Sequence, residues 1–189
     1  MGMEVFIPIG RKIQEYDKRN GSDLAGFIEL IQKKKRGEKL PLAYFKIGVT
    51  GKILNKYGMY GAITANRRVI SEKRHSKDAF HSISEELWLE IMEVINEPLA
   101  ICSYGGSGRS FRVYTSAIIK DKNICVGLNV NSIGRNILVS NISTVFGRDI
   151  SKLGSGKTEK VLYNKAAGES SSGHDPQIYP RPPLSDAKV

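Results

Sequence analysis

The most chemically suggestive run in this chain is a histidine preceded by two cations, Lys73-Arg74-His75, with Arg67 and Arg68 a short way upstream. An imidazole titrates near neutral pH and can take or give a proton. A fixed neighbouring cation can stabilise the extra negative charge that builds up on a phosphate under attack. Metal-free cleavage of a ribose phosphodiester needs little more than that: one group takes the 2′-hydroxyl proton, a second protonates the leaving 5′-oxygen, and positive charge is held nearby. By spacing alone the plainer reading, an exposed histidine at a helix C-terminus favoured by the helix dipole, stands slightly ahead.

The remaining candidates are weaker. Ser143-Thr144 and Tyr163-Asn164 are polar pairs at the ends of apolar runs, where side chains can project toward a cleft or simply bond within the fold. Arg109, after Gly105-Gly106-Ser107-Gly108, and Arg112 are further cations that could contact phosphate, although a hairpin loop already accounts for the glycines. His81 sits just before a helix, and His174 lies in a polar tail. Gly154-Ser155-Gly156-Lys157-Thr158 imitates a phosphate loop, but Ser151 stands where the first glycine belongs, so a surface turn is the better account. Cys102 and Cys125 fall in apolar runs and read as small core residues. Two cysteines and three scattered histidines make a poor metal-ligand set, and the acidic residues between 85 and 97 fall on the outer face of a helix. No metal or other cofactor is expected.

The cations are concentrated in the first half. Residues 1–80 hold 17 Lys/Arg against 8 Asp/Glu, whereas the rest hold 12 against 11. Such asymmetry fits an anionic partner, nucleic acid above all, although basic patches also serve acidic proteins or solubility. A composition of 40% hydrophobic and 25% charged residues is that of a folding chain. No run approaches the ~20 apolar residues that span a bilayer, and no membrane partner is expected.

Helical spacing marks two short helices within residues 11–36, the second capped by Ser22 or Asp23 and ended by Lys33-Lys34-Lys35-Arg36-Gly37. Residues 42–49 look extended, and Ala62 to Ala65 form a short apolar run. Val69 and Ile70 lead a helix toward His75. Ser84 opens an amphipathic helix carrying Trp88, Ile91 and Met92, closed by Asn96-Glu97-Pro98. The period then changes to strand-like runs, Leu99 to Tyr104, Phe111 to Ile119, Asn123 to Val130 and Asn136 to Ser143, with a turn at Asp121-Lys122-Asn123. The expected fold is α+β, N-terminal helices packed on a four-stranded antiparallel meander. The expected division is a helical extension over residues 1–40, an α+β domain over 41–167, and a flexible Pro/Ser-rich tail over 168–189.

In order along the chain, Phe45-Lys46-Ile47-Gly48, Val69-Ile70, Lys73-Arg74-His75, Ile83-Ser84-Glu85-Glu86, Asn96-Glu97-Pro98-Leu99, Ile142-Ser143-Thr144-Val145-Phe146-Gly147 and Val161-Leu162-Tyr163 make a set. That set resembles the phage-associated nucleases of the barnase, EndoU, colicin and RelE-like (BECR) superfamily, including the C-terminal toxin domains of MuF-type proteins. It covers residues 44–167, about two thirds of the chain. The resemblance implies a metal-independent ribonuclease acting on tRNA or other cellular RNA. The toxin would act in the cytoplasm, delivered from a phage particle or secretion system and covered by an acidic immunity protein. It assigns catalysis to His75, Arg74, Ser143 and Thr144. Independently of the resemblance, Lys73, Arg67, Arg68, Arg109 and Arg112 are the cations expected to contact nucleic acid. Barnase-like enzymes also use a glutamate base, which has no clear counterpart in the sequence. A module that binds nucleic acid or a partner without catalysis would carry the same pattern.

Overall fold

Two helices open the described chain, and each is fixed by local capping. In the computed structural model, which describes residues 7–71, 83–133 and 137–167, α1 runs Ile9–Asn20 and α2 Leu24–Lys35. Gly21, at φ 54°, takes the left-handed cap conformation that ends α1. Asp23 caps α2 by accepting from the Gly26 amide at 3.0 Å. Asp17 reaches across the turn to accept from the amides of Leu24 and Ala25 and from the Ser22 hydroxyl. The first turn of α2 thus has its orphan donors satisfied from outside the helix. Lys33, Lys34 and Lys35 occupy its last turn, as the dipole favours.

The strands form one sheet. β1 (Tyr44–Val49) is followed by α3 (Lys52–Lys56), β2 (Ala62–Asn66), α4 (Arg67–Ser71) and α5 (Glu85–Val94). Next come β3 (Ala100–Tyr104), β4 (Ser110–Ile119), β5 (Lys122–Ile133), β6 (Ile137–Arg148) and β7 (Glu159–Asn164). The α+β class holds, but the expected four-stranded meander does not. The sheet has seven strands in the order β1-β2-β6-β5-β4-β3-β7. β3 to β6 are neighbours in antiparallel pairs, the β1–β2 hairpin joins one flank through a parallel β2–β6 pairing, and β7 closes the other against β3. The β4–β5 turn is centred on Lys120 and Asp121, one position earlier than the sequence suggested, with both residues at positive φ.

α1, α2 and α5 cover one face of this sheet. Ile13, Tyr16, Phe27, Trp88 and Ile91 join Ile47, Ile63, Val113, Val126, Leu128 and Val145 in one apolar cluster. Phe27 meets Trp88 edge-to-face at 5.0 Å, a geometry favoured by the ring quadrupoles. The helices also guard the β1 edge, since the Tyr16 hydroxyl donates to the Ile47 carbonyl at 3.1 Å and the Asp23 amide to that of Lys46 at 2.7 Å. No helix among the described residues is long and apolar enough to cross a membrane.

The other face carries no α-helix among the described residues, only the one-turn 3-10 helix Ile150–Lys152. Residues 149–158 cross it, because β6 and β7 run in the same direction at separated positions in the sheet. Ile150 and Leu153 of this crossover pack on a second small cluster, Ala100, Cys102, Tyr114 and Cys125. The segment from Gly154 to Gly156 is a turn within it, where the Ser155 hydroxyl donates to the Lys152 carbonyl at 2.7 Å. Glu159 follows at once.

Candidate functional site

Residues that face away from the helices are set by strand alternation. In β4, Phe111 and Val113 enter the main core, so Arg112 and Tyr114 point to the opposite face. In β5, Val126 and Leu128 are in the core and Gly127 is opposite. In β6, Ile142 and Val145 are in the core, and a bulge places both Ser143 and Thr144 between them. Arg112 pairs with Gly127, and Gly127 with Thr144. A cation and two hydroxyls therefore share one row across three strands.

Gly127 makes that arrangement possible. A Cβ at this position would lie 2.4 Å from Thr144 Oγ1 and 2.9 Å from Ser143 Oγ. The hydroxyls occupy the space the missing side chain leaves, and Ser143 donates to the Gly127 carbonyl at 3.2 Å.

Beside this row lies a charged cluster that the sequence did not disclose. The Glu159 side chain is only 1% exposed. Its Oε1 accepts from Arg112 Nη1 at 3.2 Å, from the Tyr114 hydroxyl at 3.3 Å and from Arg148 Nη1 at 3.4 Å. Its Oε2 accepts from Arg148 Nη2 at 2.9 Å. Arg148 also donates to the Lys152 carbonyl within the crossover, while its bonds to Glu159 tie the two ends of the crossover together. Burial pushes the Tyr114 hydroxyl well above the usual phenol range, so it remains a donor to the carboxylate. The same burial raises the Cys102 and Cys125 thiols to about 12 and keeps them out of nucleophilic chemistry.

Two guanidiniums against one carboxylate leave a surplus positive charge. Arg112 is 28% exposed, spends Nη1 on Glu159, and stacks over the Tyr104 ring at 4.7 Å. Its Nε and Nη2 have no protein partner among the described residues. The arrangement can receive an anion on a fixed guanidinium. Glu159 itself, dry and accepting from three side chains, acts as the anchor that orients both arginines.

The other sequence candidates are dispersed. Lys73, Arg74 and His75 lie outside the described residues, as do His81 and His174. Arg67 and Arg68 begin α4, and Arg67 donates to the Leu40 carbonyl. The strand that leads into them, β2, is three places along the sheet from β4, roughly 14 Å at ~4.8 Å per strand. Arg109 is exposed in the β3–β4 loop, and its amide donates to the Ser107 hydroxyl. Tyr163 stacks at a tilt on Tyr57 and packs against the main core. Of these candidates, the sheet brings together Arg112, Ser143 and Thr144. No three of His, Cys, Asp and Glu converge as around a metal ion among the described residues.

Glu159, Arg148, Tyr114 and Tyr104 were missed. One signal was available: between residues 123 and 168 the only acidic residues are Asp149 and Glu159. An isolated carboxylate at the start of an apolar strand, in so basic a chain, calls for cationic partners. A hollow of about 270 Å³ lies on the helix side instead, lined by Ile31, Lys34, Lys35, Val69, Ile70, Ile83 and Trp88. It is separate from the Arg112 face. Comparison with family models, with curated proteins and with solved structures finds no match to this chain.

Proposed function

We propose that the chain is a metal-independent endoribonuclease whose substrate lies across the helix-free face of the sheet. The observation that carries this reading is the row joining Arg112 to Ser143 and Thr144 over Gly127, with Arg112 held by the buried Glu159. A phosphodiester placed there would meet a pre-oriented guanidinium and two hydroxyl donors, which supply charge stabilisation without reorganisation. His75, with Arg74 and Lys73, is the proton-transfer group of the proposal, on sequence grounds alone. By residue type Glu159 matches the glutamate base of barnase-like enzymes, but its buried, fully engaged oxygens suit it to holding the arginines. Action on tRNA or other cellular RNA in the cytoplasm, as a delivered toxin with an acidic immunity partner, belongs to the same proposal.

The test is cleavage of total RNA by purified protein in EDTA. Wild type should cut; His75→Ala and Arg112→Gln should each lose most of the activity, on the order of 100-fold or more for an acid–base group. Equal cutting by wild type and His75→Ala would remove the histidine from the mechanism.

A second reading, RNA binding without chemistry, is favoured by one observation: the buried carboxylate of the site accepts from three side chains and has no free oxygen for a substrate proton. It predicts that RNA is retained intact, with affinity falling steeply as salt rises.

A further inference from the structure

One step along the strands from the Arg112 row, the same face carries a second row with different chemistry. Ser110 pairs with Asn129, Asn129 with Asn141, Asn141 with Thr64, and Thr64 with Lys46, across five adjacent strands. Their strand neighbours Phe111, Leu128, Val130, Ile142, Ile63 and Ile47 all lie in the helix-side core, which fixes the row on the helix-free face. It contains no acid, and its one cation, Lys46 on the edge strand, turns its Nζ back beside Gly21 at the end of α1. The rest are amides and hydroxyls.

These groups are not consumed by each other. One side-chain bond joins them, Thr64 Oγ1 to Asn141 Oδ1 at 3.2 Å. Asn129 Oδ1 is shut off from solvent and has no hydrogen-bond partner. A dry acceptor without a donor is costly and uncommon, and because Asn129 as a whole is part-exposed, a turn of its amide would bring that oxygen to a ligand N–H. Amides present a donor and an acceptor side by side, the pattern that reads a heterocycle edge, whereas phosphates call for the cations of the neighbouring row. The rows are two residues apart, ~7 Å along a strand, within the reach of one nucleotide from phosphate to base.

Resting on the nucleic-acid reading above, we infer that Asn129 and Asn141 form a nucleobase-reading subsite for an unpaired RNA strand, with Arg112 on the flanking phosphate. The major groove of an A-form duplex is too deep and narrow for side chains to read, and sequence-specific reading of RNA falls on unpaired bases, so the substrate class is single-stranded or looped RNA.

The experiment is fluorescence anisotropy with uncleavable 2′-O-methyl octamers of A, C, G and U, and a duplex of mixed sequence. Wild type should prefer one homopolymer over the least favoured by about tenfold, the value of a good paired base contact, and should bind the duplex more weakly than that homopolymer. Asn129→Ala and Asn141→Ala should flatten the preference while keeping the affinity for the least favoured octamer. Arg112→Gln should weaken all four alike. Thermal melting separates lost reading from lost fold, and Asn129→Ser is the variant to score if Asn129→Ala melts early. Equal binding of all four octamers by wild type, or a preference that survives both asparagine changes, overturns the inference while leaving RNA binding in place. Binding of no octamer and no duplex overturns the nucleic-acid reading itself.

Discussion

Along β5, Ile124, Val126, Leu128 and Val130 enter the core beneath the helices, while Cys125, Gly127 and Asn129 alternate with them on the other side. The helix side is held by many interchangeable apolar contacts, the other by a few specific ones: Glu159 between two arginines, and two hydroxyls over Gly127. Apolar burial is non-directional and sums over area, so the first face carries stability. Directional polar contacts set positions, so the second carries geometry. Substitutions on the two faces should therefore differ in what they disturb.

The largest stability loss belongs to the helix side. Trp88 is buried against Phe27 at the α2–α5 contact, and Trp88→Ala should cost about 3–5 kcal/mol through lost transfer energy and a cavity. Chemical denaturation measures this as a lowered midpoint; a midpoint close to wild type would mean that the helices contribute little to the core. Next comes Glu159→Gln, which leaves Arg112 and Arg148 without their counter-charge. Breaking a buried pair costs ~3–5 kcal/mol, and with both arginines partly exposed the lower end, about 3 kcal/mol, is expected. Limited proteolysis should then cut first within residues 149–158, since the carboxylate fastens that crossover. Unfolding with no early cut there would show that the ion pairs are not what holds it.

How far each face could be read from sequence follows from the same distinction. α5 was legible because Ser84 caps it, accepting from the Leu87 amide, and Trp88, Ile91 and Met92 recur at helical spacing. The strand runs were visible as alternation, but their assembly was not. The parallel β2–β6 pairing joins residues such as Thr64 and Asn141 that are 77 positions apart, and nothing local encodes it. β6 read as ending near Ser143 because the bulge at Ser143-Thr144 breaks the alternation between Ile142 and Val145. That irregularity is also what brings both hydroxyls to Gly127. Glu159 escaped because its partners Arg112, Tyr114 and Arg148 come from other strands and meet it only once β7 has crossed the sheet.

Gly127 offers a sharper probe of the second face. Gly127→Ala puts a methyl into the space of the Thr144 and Ser143 hydroxyls and should cost about 1–2 kcal/mol by overpacking. Thr144→Ala removes the closer of the two atoms, so the double variant should recover part of the loss. A double-mutant cycle measures the coupling. Simple additivity would mean that the bulge yields freely and that the row from Arg112 to Thr144 is not rigid.

The smallest effect concerns the turn that hands β4 to β5 and so sets which residues share each face. Lys120 and Asp121, at φ 48° and 61°, occupy the left-handed region in a two-residue hairpin. Side chains there are strained, and this turn type favours Gly at its second position. Asp121→Gly relieves the strain but frees the unfolded chain, so the net gain should be modest, about 0.5 kcal/mol. The turn lies at the far end of β4 and β5 from the pairing of Ser110 with Asn129. The change should therefore raise the thermal midpoint slightly and leave the RNA binding or cleavage we propose untouched. An altered RNA affinity in this variant would mean that strand register, and not only local side chains, is shared between the two faces.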